Sequence, residues 1–528
     1  MCCASARTSP HSPDLVGKSF DGRGEAVRRL KYIPWECLVA AGIAAGILFW
    51  RLGERPLLDW DEALYAQIAR ELVEQRRWFD LTWGYEPYFK KPPLLFWAIA
   101  LSYRVFGVSE WATRLPSVLF GIGSVVLVTS LGSRLFGRLA GLWGGMLLLT
   151  VYPFLAHGSR QCATDSPALF LSLLSLWYFW RGRQHPPLLS GVGVVFGAGL
   201  LAKGIVALLP LLVVFSFCVW TGEKRHLRSR FFLGGLVSGV LLALPWYTYQ
   251  MATYGVPFLR TFLWEETLTR LVTVYDAPFR SWSFYLVTVW ADISHCLPLL
   301  VGFATLCLLC HTGGWSSLPP AFRFVLCWLT VALLAPFGTQ TRHSWYLLPV
   351  YPPFCLLIAG MGVSVWRSSV PLLGLHWRCS MLLRRAAVGI VTGWCCFLLP
   401  GHVHRIADSL NWIEETYLDR NTLLQEIGAT LDPSVPLYVV GSPMPGVVFY
   451  SHHPVVFLPQ EELTAIEAPF TPLYVLVPVG PLVERMSARG FSLVGQKGYW
   501  CLLSYVPVIE ADAEEQESIG GEELTDEL

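Results

Sequence analysis

Charge is scarce in this sequence. Only 15% of its 528 residues are Asp, Glu, Lys or Arg, against about 25% in ordinary soluble domains. So few charges cannot coat the several water-exposed domains of roughly 150 residues each that this length would otherwise suggest. Lysine is especially rare, with seven in all: Lys18, Lys31, Lys90, Lys91, Lys203, Lys224 and Lys497. Net charge is +1 and no long basic run occurs, which excludes an electrostatic nucleic-acid surface. Residues 1–33 are polar and basic and lack an apolar core, which excludes a cleavable signal peptide. A disulfide framework is missing too. The 14 cysteines follow no spacing, and half of them (Cys218, Cys296, Cys307, Cys327, Cys355, Cys395, Cys396) sit in apolar stretches, where cysteine acts as a small filler. Cys307-Leu-Leu-Cys310-His311 matches a c-type haem attachment string. It closes an apolar segment expected to face the cytoplasm, and is read as packing.

Apolar surface is what the chain has. Hydrophobic residues make up 54% and mean hydropathy is +0.48. The 23 Trp, 20 Tyr and 30 Phe suit anchoring at lipid–water boundaries. The chain is expected to be a polytopic α-helical membrane protein. Its first span runs from Ile33 to Trp50, and the basic residues before it put the N-terminus in the cytoplasm. Further apolar stretches fall near 116–134, 138–156, 166–181, 188–202, 204–220, 231–250, 282–310, 321–337, 345–366 and 386–400. The stretch 92–107 is short and interrupted by Pro92, Pro93 and Arg104, and reads as an interfacial helix. Leaving it out of the spans gathers Arg134/Arg138, Arg181/Arg183, the 224–230 cluster and Arg367 on the cytoplasmic side. The result is about 11 spans, up to 13, with the C-terminus outside.

The division that follows is a cytoplasmic segment 1–33, a transmembrane catalytic domain 34–400 whose first outer loop (51–115) carries interfacial helices, and a tail. In the tail, strand-like runs from Leu437, Val455, Leu473 and Trp500 alternate with helix-like stretches at 411–430 and 481–489, predicting a small extracytoplasmic α/β domain over 401–509. Residues 510–528 are acidic and expected to be disordered.

The outer face carries the candidate chemistry. Apolar Leu64, Ile68, Leu72 and Val73 recur at helical spacing from Asp61, predicting an amphipathic helix on the membrane surface. Asp61 and Glu62 open it, where capping alone is one explanation and catalysis the other. Lys90, Lys91 and Lys203 lie outside, against the positive-inside bias. Lys203 in GLLAKGIVALLP is isolated, either snorkelling or marking a site. Asp165 is likewise either a helix cap or a site carboxylate. Arg342 adds an outer cation, with Tyr346 beside it.

At these positions the chain resembles a known family. The strings D-E-A-L-Y-A from Asp61, Y-F-K-K-P-P-L from Tyr88, R-L-P at Arg114, T-D-S-P from Thr164, L-A-K-G from Leu201 and R-H-S-W-Y-L-L-P from Arg342 are similar to the GT-C polyprenyl-phosphate-sugar-dependent glycosyltransferases. The superfamily includes the protein O-mannosyltransferases and the bacterial lipid A aminoarabinose transferase. The resemblance covers roughly residues 35–400. It implies a GT-C bundle, a bacterial inner-membrane location with a periplasmic C-terminal domain, and an inverting transfer of a sugar from polyprenyl phosphate to a lipid, protein or glycan acceptor. By the same resemblance Asp61 is the base, with Glu62 beside it. Asp165 orients acceptor or sugar. Lys90, Lys91, Lys203 and Arg342 meet the donor phosphate, and Tyr65, Tyr88 and Tyr346 line the site. The partners are the lipid-linked sugar, the acceptor and the bilayer, with no nucleic acid. A divalent metal is compatible with the family, but its expected ligands are missing: Lys90-Lys91-Pro92 stands where the aminoarabinose branch reads Glu-Lys-Pro, and YDAPFRSWSFYL lacks the expected histidine. No metal ligand is assigned. The competing class is a polytopic transporter or flippase of a lipid-linked or anionic substrate, which calls for inverted repeats that the sequence does not display.

Overall fold

The computed structural model describes residues 34–274, 280–296, 300, 318–367, 415–465, 471–506 and the isolated positions 382, 386, 389 and 393. The expectations for 1–33, for Cys307–His311, for the tail 510–528 and, apart from its three isolated positions, for the 386–400 span lie outside the described residues.

The first helix, α1 (Trp35–Phe49), is apolar apart from Glu36 in its first turn, which is buried rather than turned outward, as suits a helix in lipid. After a short loop comes α2 (Asp61–Gln75), which ends where Arg76 turns left-handed at φ 56°. A small antiparallel hairpin, β1 (Thr82–Trp83) and β2 (Glu86–Pro87), follows. Then comes α3 (Leu94–Phe106), the expected short helix, only 13 residues long. The Ser109 hydroxyl accepts the Ala112 N–H and starts α4 (Glu110–Leu135), which spans 26 residues. It is followed by α5 (Arg138–Leu148), α6 (Asp165–Gly182), α7 (Leu189–Lys203), α8 (Leu208–Thr221), α9 (Arg230–Tyr254), α10 (Ser283–Ile293), α11 (Pro320–Leu334) and α12 (Tyr351–Arg367).

By length and composition, five described helical stretches qualify as membrane spans, or six if the Arg138–Leu148 and Tyr152–Arg160 pair, bent by 78°, is one. The expected number was about 11. Part of the difference has a plain cause. Pro186–Thr221 forms one unbroken helical run of 36 residues, yet a Cβ at Gly199 would stand 2.9 Å from the Ala207 Cβ. Residues eight apart in a straight helix are about 12 Å apart, so the run folds back at Lys203–Gly204 into a hairpin of two short helices, α7 and α8. This is the turn the sequence predicts. The helices α1 and α10 are also apolar but shorter than 18 residues.

Glycine sets how closely the bundle packs. On α7, Gly193 and Gly197 are four apart; on α9, Gly235 and Gly239 repeat the spacing. A Cβ at Gly193 would overlap the Gly235 carbonyl, and one at Gly197 the Gly239 carbonyl. The two helices therefore touch backbone to backbone, the small-xxx-small packing that lipid-embedded helices use in place of hydrophobic burial. This seam fixes the height at which α7 delivers Lys203.

One end of the bundle gathers the basic loops. Arg183 forms a bidentate pair with Glu223 at 2.9 and 2.6 Å, His226 approaches the same carboxylate at 3.2 Å, and Arg134 and Arg181 both lie over the Trp177 ring. The start of α4 and α6 and the tip of the α7–α8 hairpin form the other end. The sorting of loops expected from charge is therefore the sorting in space.

The C-terminal unit contains α13 (Glu415–Ile427) and α14 (Pro445–Ser451) and a mixed five-stranded sheet. Its strands are β3 (Leu437–Val440), β4 (Val455–Leu458), β5 (Leu473–Pro478), β6 (Ser492–Lys497) and β7 (Trp500–Tyr505), in the order β4-β3-β5-β7-β6. Pairing is parallel among β4, β3 and β5 and antiparallel from β5 through β7 to β6. The four strand-like runs in the sequence are all strands. The strand it misses, β6, lies at a sheet edge, mostly exposed and interrupted by Gly495.

This unit changes the picture of α2. Glu71 is fully buried and Arg70 is 9% exposed, so the polar side of α2 does not face water. Glu71 accepts from Thr82 Oγ1 (2.6 Å), Gly84 N (2.8 Å) and Tyr85 N (3.1 Å) in the hairpin. Arg70 donates to Phe449 O at 2.8 Å and stacks on the Phe449 ring. Ala63 and Ala66 pack with Leu423, Val447 and Phe449. The helix is enclosed on most sides, because tertiary partners supply the cover that spacing alone assigns to solvent.

Candidate functional site

Asp61 opens α2 at the end of the bundle opposite the basic loops. Its carboxylate is exposed and has no hydrogen bond or ion pair among the described residues. Its neighbour Glu62 is the opposite case, only 3% exposed. Arg114 grips it with Nε to Oε1 at 3.0 Å and Nη2 to Oε2 at 2.9 Å, and the Leu58 and Cys162 amides donate to it at 3.0 and 2.9 Å. Burial would raise the Glu62 carboxyl, but Arg114 and these amides hold it below the usual glutamate value. Arg114 also donates to the carbonyls of Leu52, Arg55 and Pro56, each at 2.9 Å. Glu62 thus works with Arg114 as the fastening of the loop that presents Asp61. The sequence quotes Arg114 only as part of a motif; its role as a clamp was missed.

Asp165 begins α6 and is fully engaged. Lys203 from the hairpin tip pairs with Oδ1, and His157 Nε2 meets Oδ2 at 3.1 Å. His157 belongs to a π-helical turn, Ala156–Arg160, just before α6, and its other ring nitrogen meets Gln161 Oε1 at 2.9 Å. Its imidazole stacks on Trp345 (5.0 Å between centroids), whose other neighbour is the His343 ring at 4.3 Å. That stack joins the Asp165 cluster to the segment carrying Arg342 and Tyr346. Neither His157 nor Trp345 was singled out from the sequence. The signal available was His157 eight residues before Asp165 at the same membrane boundary.

The two lysines of the first loop differ. Lys91 Nζ pairs with Glu266 at 2.9 Å, and Arg270 reaches the same carboxylate at 3.2 Å. Burial would raise the Glu266 carboxyl, but Lys91 and Arg270, with Lys90 nearby, hold it below its usual value. Lys90 itself is exposed. Arg342 sits beside Arg280. Each donates to the other's main-chain carbonyl, neither meets a carboxylate among the described residues, and Arg342 Nε is buried with no hydrogen-bond partner there.

The tyrosines connect these groups. Tyr65 is fully buried and packs edge-on against Phe96 at 5.1 Å. Burial first, then the fields of Asp61 and Asp165, push its hydroxyl well above the ordinary tyrosine value. Both carboxylates therefore lie within electrostatic reach of one hydroxyl. Tyr88 is raised by burial and by Asp61 and Glu266, which ties the Lys91 cluster to the same place. Tyr346 lies against His343 at 5.4 Å. Asp61, Asp165, Lys91 and Lys203, far apart in sequence, share one region at this end of the bundle.

Residues 90–249 match the family described as dolichyl-phosphate-mannose-protein mannosyltransferase. Among curated relatives, an undecaprenyl phosphate-alpha-4-amino-4-deoxy-L-arabinose arabinosyl transferase of Pseudomonas fluorescens is 28% identical over 312 residues, 56% of this chain and 54% of that one. The corresponding protein of Pseudomonas paraeruginosa is 30% identical, again over 56% of this chain and 54% of that one. The chain spans a little over half the length of these relatives. In structure it is similar to ArnT from Cupriavidus metallidurans bound to undecaprenyl phosphate, with a TM-score of 0.68 at 19% identity over 89% of this chain and 98% of that one. The chain has the GT-C fold of that structure. The same fold extends to the Archaeoglobus fulgidus oligosaccharyltransferase, with a TM-score of 0.51 at 12% identity, covering 88% of this chain and 74% of that one. In this fold the motif residues quoted from the sequence lie at the end of the bundle opposite the basic loops.

A divalent metal does not fit the residues gathered there. Glu62, Asp165 and Glu266 are already taken by Arg114, Lys203 with His157, and Lys91 with Arg270. Among the described residues no group of three or more His, Cys, Asp or Glu side chains comes together.

Proposed function

We propose that this protein is an inverting glycosyltransferase that moves a sugar from a polyprenyl-phosphate carrier to a lipid, protein or glycan acceptor at the outer face of a bacterial inner membrane. The observation that carries this reading is the state of Asp61. Among the described residues it is the site carboxylate left without a partner, while Glu62, Asp165 and Glu266 are each neutralised by cations, and general-base work needs a carboxylate with a free lone pair.

The chemistry follows from that arrangement. Asp61 takes the proton of the acceptor hydroxyl as its oxygen attacks the anomeric carbon from the face opposite the phosphate. The carbon–oxygen bond to the carrier breaks, and polyprenyl phosphate leaves as a monoester. The growing charge on that phosphate requires cations. Arg342, paired side by side with Arg280 and lacking a carboxylate partner among the described residues, suits this best. Lys90 is exposed and available. Lys91 and Lys203 already answer Glu266 and Asp165, so they supply field and shape around the donor. Asp165, held by Lys203 and His157, orients the sugar or acceptor; Tyr65, Tyr88 and Tyr346 line the space. The relatives' names point to undecaprenyl phosphate-linked aminoarabinose as the first donor to try. A transporter would instead need broken helices repeated in both halves of the chain.

The test is mass spectrometry of envelope lipids and glycoproteins from cells with the chain, without it, and with Asp61→Asn. A sugar-bearing product lost in the second and third supports transfer. Identical profiles in all three would rule it out.

A further inference from the structure

The loop that delivers Asp61 is held from behind by the C-terminal unit. Arg420, on α13, is fully buried and forms an ion pair with Asp59. The other oxygen of Asp59 accepts the Gly446 N–H at 2.8 Å. Arg420 lies over the Trp500 ring at 5.4 Å and donates to Asn421 Oδ1 at 3.1 Å. Asn421 in turn donates to the Leu57 carbonyl at 3.1 Å, and the Leu57 amide donates to the Tyr450 hydroxyl at 2.7 Å. On the membrane side, Glu62 accepts the Leu58 amide and is locked by Arg114. The residue between the two fastenings is Trp60, with φ 68° and ψ −118°. A bulky residue at positive φ is strained, and such strain persists only where the surroundings over-determine it. Trp60 is 65% exposed, so its own packing does not hold it there. The clasp at Asp59 is tight: a Cβ on Gly446 would stand 2.5 Å from Asp59 Oδ1. A buried ion pair adds little net stability over apolar packing, so a clasp of this kind is better explained by the geometry it imposes.

We propose that Asp59 and Arg420 are positioning residues for Asp61. The outer domain fixes the strained Trp60 step, which turns the Asp61 carboxylate toward Tyr65 and Tyr88 and away from any partner of its own. Without the clasp the step relaxes to an ordinary φ and Asp61 swings out of line. This rests on the transfer function proposed above.

The experiment uses the full chain in lipid nanodiscs, with Asp59→Asn and Arg420→Lys. Lys497→Ala is the control, because it removes only an outer ion pair with Glu426 on the same unit. Three quantities are read: backbone amide exchange over residues 57–62, turnover of undecaprenyl phosphate-4-amino-4-deoxy-L-arabinose, and the Kd for undecaprenyl phosphate. Exchange should accelerate and kcat should fall about a hundred-fold, as ångström-scale misplacement of a reacting group does. Donor KM and the undecaprenyl phosphate Kd should stay within about two-fold in both variants. The control should change none of them. Faster exchange with unchanged kcat overturns the proposal, as does a loss of kcat matched by an equal loss of binding, or unchanged exchange in both variants. Asp59→Asn keeps the acceptor for Gly446 and carries the test if Arg420→Lys does not fold. Full turnover by Asp61→Asn would instead remove Asp61 as the base, and no turnover by the unaltered chain would sink the transfer function, while exchange alone would still decide whether the clasp holds the loop.

Discussion

At the residue scale, the separation of Asp61 from the other carboxylates decides what each can do. Asp61→Asn removes charge but keeps shape, so transfer should stop while expression and membrane insertion remain normal; product mass spectrometry together with membrane fractionation checks both. Lys203 and Asp165 behave as a unit. Lys203→Ala strands a carboxylate whose side chain is 13% exposed, which should destabilise by about 3 kcal/mol. The double variant Lys203→Met/Asp165→Asn should recover most of that stability but no activity, as thermal unfolding and donor turnover will report. Glu266 makes a pH prediction. Its folded pKa lies below the unfolded value, so its contribution is present above the unfolded carboxylate range of about 4.3 and is lost as pH falls through the folded value. Glu266→Gln should therefore lower stability at neutral pH, where the contribution is present, and flatten the acid limb, so that the difference from the unaltered protein disappears as pH falls through the folded value. An unchanged acid limb would contradict the assignment. These pairings were not legible in the sequence. Composition and motifs put acids and cations on the same face, but which lysine answers which carboxylate depends on loops that lie 38 residues apart for Lys203 and Asp165 and 175 apart for Lys91 and Glu266.

At the element scale, the α7–α9 seam sets the position of Lys203. Both helices present glycines at four-residue spacing, and their main chains meet there. Gly193→Leu or Gly239→Leu should force the helices apart, costing about 3 kcal/mol or more by overpacking, and should lower the unfolding midpoint in detergent more than Gly234→Leu. Gly234 has nothing within 4 Å of a built Cβ. Equal effects at all three positions would mean the seam is not tight. The elements themselves were largely readable: apolar runs gave the helices, the short α3 was recognised from its prolines, and alternation in the tail gave four strands. The edge strand β6 escaped because little of it is buried, and burial is what writes periodicity into a sequence. The polar side of α2 misled for the converse reason, since Arg70 and Glu71 are covered by groups from elsewhere in the chain.

At the scale of the whole molecule, the chain is a bundle with chemically distinct ends. Arg183 with Glu223 and the Trp177 cations occupy one end, and Asp61, Asp165 and Lys203 the other. The positive-inside bias assigns the first to the cytoplasm. A reporter that works only outside the membrane should be active when fused after residue 506 and silent when inserted near residue 225; the reverse pattern would invert the topology and remove the outer-face site. Sequence alone settled that this is a membrane bundle and that it carries a small sheet-containing unit at its C-terminal end. Those properties follow from local composition and periodicity, which act over a few helical turns. Only the tertiary structure decided that Arg114 neutralises Glu62, that Lys203 and His157 occupy Asp165, and that the C-terminal unit grips Asp59. Coulomb attraction in a poorly solvated interior depends on distance through space rather than along the chain, and that is why, among the described residues, Asp61 is left without an ion pair while Glu62, Asp165 and Glu266 each have one.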